Sequence, residues 1–359
     1  MISRVLAAAF LSLVTLCAQA QESSWIRVFD VMWEAHWRQN GIMQSVVRWP
    51  IKEDRSLLFS VNSKASSSNA ERAREAMGVV SSAAGLVSRE VPEGSANVQV
   101  EFEIREFTQD ELRQYSCFTQ PSWKNSLFEK TRVVLSERYT YLCVYHELMH
   151  TFGLPGHPQG ETVLSYFEGN GLTLKPIDLF MLAAWYSNDV GPGMYALAST
   201  RALNRRWINQ YVADADKDQA RAVEQSWFDK VIASLEAYAF GKGEPPTILY
   251  RSGRLNSEGM KRGLMYVQGT LGDAYLNGFL LARNTAKGSE LMLMSAKNGN
   301  VAASSYIART LTSGKWPAPQ TEPLCKWLKE APLAESGLTE AELANTMASQ
   351  ACADSAVNR

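Results

Sequence analysis

Residues 146–157 read HELMHTFGLPGH, and the reading of the whole chain turns on them. His146 and His150 stand four residues apart, a spacing that stacks both imidazoles on one face of a helix, where they can reach a single ion. The stretch from about Arg138 to Phe152 reads as that helix. Gly153, a residue suited to the left-handed backbone, stops it shortly after His150. His157 supplies a third imidazole, and Glu147 is a carboxylate placed to take a proton from metal-bound water. The HExxH pattern alone also occurs on ordinary amphipathic helices. Economy of histidine sets this case apart, because the chain has 4 His and three of them fall in this one window.

Outward from the window, strand and helix signals alternate as far as about Thr200. Ser56 to Val61 and Thr131 to Ser136 read as strands, and Asn97 to Ile104 alternates apolar and polar side chains with the period of a half-buried strand. Asn69 to Ser88 reads as an Ala-rich helix. Downstream, Thr162 to Tyr166 (TVLSY) forms an apolar turn ending in a tyrosine. Pro176 to Tyr186 reads as a helix with proline in its first turn. Turn chemistry over Ser187 to Gly193 closes the unit. Gln21 to Pro50, rich in tryptophan, reads either as a prosegment or as the first structured part of this domain.

The first twenty residues carry the pattern of a secretory signal peptide: Arg4, an apolar run from Val5 to Leu16, and small residues at Ala18-Gln19-Ala20. The run is shorter than the ~20 residues a membrane span needs, and no later stretch is long and apolar enough, so no transmembrane anchor is expected. A lipid anchor at Cys17 is the lesser alternative. The expectation is export to the periplasm or the medium of a Gram-negative bacterium. Four cysteines remain after cleavage, and three pairings are open. Cys117–Cys143 with Cys325–Cys352 is favoured because it keeps each bridge within one domain; one bridge with two buried free thiols is the alternative. Lys+Arg 36 against Asp+Glu 37, a net charge of -1, excludes the basic field of a general nucleic-acid binder, and 46% hydrophobic residues describe a folded chain.

Beyond about Ala202 the strand signals vanish and a period near 36 residues appears. Leu271, Gly278 and Leu291 recur as Ile307, Gly314 and Trp327, with a weaker copy at Ala237, Tyr238 and Gly241. Two apolar helical stretches per period indicate stacked helix pairs. The segments DAYLNGFLLARNTAKGSELMLMSAKNGN and ARTLTSGKWPAPQTEPLCKWLKEA resemble Sel1-like repeats, relatives of tetratricopeptide repeats, over about Ser234 to Ala331. They depart from that family at Gly288, where alanine is usual. The expected organisation is a signal peptide over 1–20, an α+β domain over 21–200 and an all-α repeat solenoid over 205–359.

The succession HELMHTFGLPGH, TVLSY, LKPIDLFMLAAWY resembles the metzincin metallopeptidases, whose signature is HExxHxxGxxH, a Met-turn of the type SVMSY and a closing helix. The likeness covers about Thr131 to Tyr186. It is also similar to a group of uncharacterised bacterial secreted proteins. The resemblance implies a mixed sheet, an active-site helix and a Met-turn-like segment. It also implies one zinc ion held by His146, His150 and His157, with Glu147 as general base and Tyr166 as a ligand or a hydrogen-bond donor to the oxyanion. Two departures stand out. The third histidine lies one residue later than the family spacing, an insertion at Pro155 or Gly156 that a bulged loop has to absorb, and Leu164 replaces the methionine.

Other candidates weigh less. Cys143 is one turn before His146 and is better explained by a bridge. Glu161 and Glu168 would serve a site of two histidines and a glutamate. Asp178 reads as a cap or as a partner to a ligand, and His36 as structural. The function expected from the sequence is a zinc-dependent endopeptidase acting on peptide or protein substrates with zinc-bound water activated by Glu147, its repeats docking a protein partner. The alternative is a non-catalytic envelope protein whose repeats bind a partner and whose metal is structural or a relic.

Overall fold

In the computed structural model, residues 21–38, 41–166, 172–246, 257–317, 321–330, 338–349 and 352 are described. The signal-peptide reading over 1–20, with Cys17, and the candidate ligand Glu168 lie outside them. The chain divides into two compact units, one of Met1–Arg38 and Gln44–Asp229, the other of Gln39–Met43 and Lys230–Arg359.

The first unit is mixed α/β. Residues 21–34 form the helical stretch α1. The unit continues through β1 (Ser56–Val61), α2 (Ser67–Ala83), β2 (Val87–Glu90), β3 (Val100–Arg105), α3 (Gln109–Gln114), β4 (Cys117–Lys124), β5 (Leu127–Ser136), α4 (Thr140–Thr151), α5 (Pro176–Trp185), α6 (Ala196–Tyr211) and the first half of α7 (Lys217–Ala239). The sheet runs β2-β1-β3-β5-β4, with β4 antiparallel to β5 and every other pairing parallel.

The alternation in β3 is realised as a division between two faces. Val100, Phe102 and Ile104 are buried in the core. On the other face Glu101 pairs with Lys130 at 2.8 Å and Glu103 pairs with Arg132. Because one face carries charge, the parallel strands alternate instead of reading as continuous apolar runs. Ala70, Ala73 and Ala76 of α2 are buried, and α2 and α4 pack on the sheet and on one another.

The sequence reading found β1, β3 and β5 and missed β2 and β4. Both are edge strands. β2 (VSRE) is short and mostly exposed, so the expected helix over 69–88 in fact ends at Ala83. β4 (CFTQPSWK) carries Pro121, which a sheet tolerates at an edge.

The tryptophan-rich N-terminal stretch belongs to the core of this unit. Phe29, Met32 and Ala35 have no exposed surface, Phe29 packs against the rings of Trp207 and Trp227, and Trp227 Nε1 donates to Asp30 at 2.9 Å.

Among the described residues the second unit is helical: the end of α7, then α8 (Ser257–Asn277), α9 (Thr285–Lys297), α10 (Val301–Thr312), α11 (Glu322–Glu330) and α12 (Glu340–Met347). The periodic glycines Gly241, Gly278 and Gly314 all take positive φ just after helices, and Leu271, Leu291 and Ile307 are buried. Gly288 has a steric reason. A Cβ there would stand 2.8 Å from Leu276 N on α8 and 2.9 Å from Gly272 O. Helix propensity favours alanine over glycine by about 1 kcal/mol, but two of the three nearest obstacles are backbone atoms, and overpacking costs about 1–3 kcal/mol. Gly288→Ala is expected to lower the thermal midpoint; a midpoint at or above that of the wild type would contradict the close approach.

Disulfides join Cys117 to Cys143 and Cys325 to Cys352, with Cα separations of 6.2 and 5.5 Å, inside the usual range. This is the pairing favoured from the sequence. No helix among the described residues is long and apolar enough to cross a membrane.

Candidate metal centre

The helix α4 is fixed at both ends. At its start Thr140 Oγ1 donates to Ser136 O, the last carbonyl of β5, at 2.9 Å. At its end the carbonyls of Thr151 and Phe152, which have no partner inside a helix, accept from Trp49 Nε1 at 3.1 Å and from the Tyr186 hydroxyl at 3.3 Å. Gly153 follows with φ 101, and a Cβ at this position would overlap the Val47 carbonyl oxygen. Only glycine satisfies both conditions, so the chain turns back here towards His157.

The turn brings together His146, His150 and His157, whose ligating atoms form a group able to hold a metal ion. The three Nε2 atoms make a nearly equilateral triangle with sides of 3.0, 3.1 and 3.1 Å. A tetrahedral ion with nitrogen bonds of about 2.0–2.1 Å sets its nitrogens roughly 3.3 Å apart, so the triangle fits one ion with slight compression. The opposite ring atoms decide the chemistry. His146 Nδ1 donates to Val163 O at 3.0 Å and His150 Nδ1 donates to Leu154 O at 2.7 Å. A neutral imidazole that donates from Nδ1 carries a lone pair on Nε2. Two lone pairs therefore face each other at 3.1 Å, an arrangement that a bound cation would satisfy. Burial lowers the pKa of His146 to about 4 and that of His150 to about 3.

Glu147 lies one helical turn before His150 and so shares its side of α4. It is buried, and burial pushes its carboxyl up to about 8. Tyr166 is exposed and lies flat on His157, with ring centroids 4.3 Å apart and planes 13° apart. It also stacks on His146 at 5.4 Å.

Asp178 has both roles read for it. Its carboxylate accepts from Lys175 N at 2.8 Å, capping α5, and from Val163 N at 3.0 Å and the Thr162 hydroxyl. It thereby holds the residue whose carbonyl orients His146. Leu164, in the TVLSY segment, is fully buried. Glu161 is exposed and does not belong to the histidine group, and Cys143 is taken up by its bridge.

The fourth histidine stands apart. His36 is fully buried, its Nδ1 donating to Gln44 O at 3.2 Å and its Nε2 accepting from Ser199 Oγ at 3.0 Å, with its ring on Trp185. Burial lowers its pKa to about 4 from 6.5. Below pH 6.5 the unfolded chain binds this proton and the folded one does not, so the stability it contributes is complete above 6.5 and is lost as pH falls towards 4. The whole span amounts to about 3 kcal/mol. In metal-free protein, His36→Asn is expected to flatten the pH dependence of unfolding free energy by up to one proton across that window. Parallel curves for the two proteins would contradict the assignment.

The sequence reading missed three features of the site. Two are the carbonyls of Val163 and Leu154. The third is the contact of the 156–160 loop with residues 31–35, whose nearest signal was the unplaced tryptophan-rich stretch. No known family model, no curated protein and no solved structure matches this chain.

Proposed function

We propose that this protein is an exported zinc-dependent endopeptidase with a metzincin-like site, and that its Sel1-like helical repeats dock a protein partner. The observation that carries the proposal is the convergence of three Nε2 atoms, two of them held as lone-pair donors by carbonyls on the far side of their rings. Zinc bound to His146, His150 and His157 supplies a Lewis acid that polarises a peptide carbonyl and acidifies water.

The remaining work falls to side chains. Glu147 takes the proton of the attacking water and delivers it to the leaving amine. Its burial makes it a stronger base than a solvated carboxylate, and a cation held by the three histidines would lower its pKa again. Tyr166, stacked on His157, is assigned to hydrogen-bond the developing charge on the substrate oxygen. A polypeptide substrate suits the sheet: β4 is an edge strand, and the Cys117–Cys143 bridge ties it to the helix carrying His146. Extended peptides bind such edges by strand addition. The disulfides also suit an oxidising compartment such as the periplasm.

The test is incubation of the purified, zinc-loaded protein with unfolded polypeptides. Cleavage that stops on chelation and returns with zinc is the expected result. Full zinc occupancy without cleavage would contradict the catalytic reading and leave the histidines as a binding site.

A further inference from the structure

His157 sits in the loop that follows α4, whose start is closed by Gly153 N–H to His150 O and by His150 Nδ1–H to Leu154 O. Between His150 and His157 the chain carries two glycines, Gly153 and Gly156, and it is one residue longer than the spacing expected of such sites. Further restraint on this loop comes from outside it. The contacts fall on the end of α1 and the residue after it. Gly156 N donates to Ala35 O at 2.9 Å. Gln159 N donates to Glu34 Oε2 at 2.8 Å. The two tethers bracket His157, and Pro158 between them has no N–H to offer. The approach at Gly156 is close enough to exclude a side chain, because a Cβ there would overlap Glu34 O and lie 2.8 Å from Ala35 Cα. At Gly160, with φ 133, a Cβ would lie 2.9 Å from Val31 on the same helix. Glu34 itself is buried, and burying a carboxylate is costly unless its oxygens are hydrogen-bonded.

We infer that Glu34, with the Glu34–Ala35 backbone, is the template that places His157 for metal binding. Glu34 is thus a positioning residue, and the N-terminal segment is an integral part of the site. This rests on the reading of the three histidines as a metal centre. It accounts for the additional residue in the loop, which is taken up where Gly156 pairs with Ala35.

The experiment uses the full mature chain and measures zinc affinity by competition, the absorption spectrum of the cobalt(II)-substituted protein, and the far-ultraviolet circular dichroism of the metal-free form. Glu34→Ala is expected to fold, to bind zinc about 10–100-fold more weakly, as loss of a partner that orients a ligand does, and to shift the cobalt spectrum towards that of His157→Ala. Glu34→Gln keeps a side-chain carbonyl acceptor for Gln159 N–H and is expected to restore both readouts close to wild type. If Glu34→Ala does not fold, Gly156→Ala decides: it leaves Glu34 intact, lifts the loop off the template, and is expected to show the same loss and spectral shift. A folded variant with wild-type affinity and an unchanged cobalt spectrum would overturn the inference while leaving the metal centre standing. Failure of the wild type itself to bind zinc or cobalt would overturn both.

Discussion

Glu147→Gln is expected to leave the metal in place and to slow polypeptide cleavage by roughly 10²–10⁴-fold, the usual contribution of a general base. The substitution is close to isosteric at a buried position, so the helix and the ligands on either side of it are undisturbed. What it removes is the ability to accept and release a proton. Glutamine also removes the need to bury an ionisable group, whose carboxyl burial pushes up to about 8. The variant is therefore expected to be at least as stable as the wild type, and loss of activity cannot then be ascribed to unfolding. Cleavage at the wild-type rate with zinc retained would remove Glu147 from the mechanism.

His157→Ala is expected to weaken zinc binding by at least about 10²-fold, more than the loss of an orienting partner costs, because it takes away one of the three nitrogens of the triangle. His146 and His150 remain in place on α4, since their Nδ1 atoms are held by Val163 and Leu154 independently of the third ring. The effect has a second readout. A ligand that binds only the folded state adds about 2.7 kcal/mol at one hundred times its dissociation constant, so the wild type should melt at a higher temperature with zinc and the variant should hardly respond. An unchanged affinity in the variant would reduce the site to its helical pair.

How far the sequence disclosed this arrangement depended on how local each cause is. The spacing of His146 and His150 is a property of one helix, and the period of 3.6 residues alone places them on one face. Gly153 was legible because a left-handed residue after a helix is a local requirement. The strands β1, β3 and β5 announce themselves because they line the core. β2 and β4 do not, because edge strands carry polar residues and, in β4, a proline. Asp178 was legible as a cap, and its hold on Val163 follows from the fold.

The least legible part was the template for His157. Glu34 and Gln159 are 125 residues apart in the chain, and no periodicity links them. Tyr166 was expected near the metal, but its flat stacking on His157 is a tertiary fact that the TVLSY segment does not contain. In the second unit, Gly288 looked like a departure from the repeat pattern and proved to be required by the crossing of α8 and α9.

The most direct test of the central claim is a zinc titration of the purified mature chain against a chromophoric chelator, with the bound metal counted by mass spectrometry. One tightly bound zinc per chain, lost when His146, His150 and His157 are replaced together by alanine, is the result predicted by the convergence of their Nε2 atoms. A chain that binds no zinc, or binds it equally well without those three histidines, would contradict it.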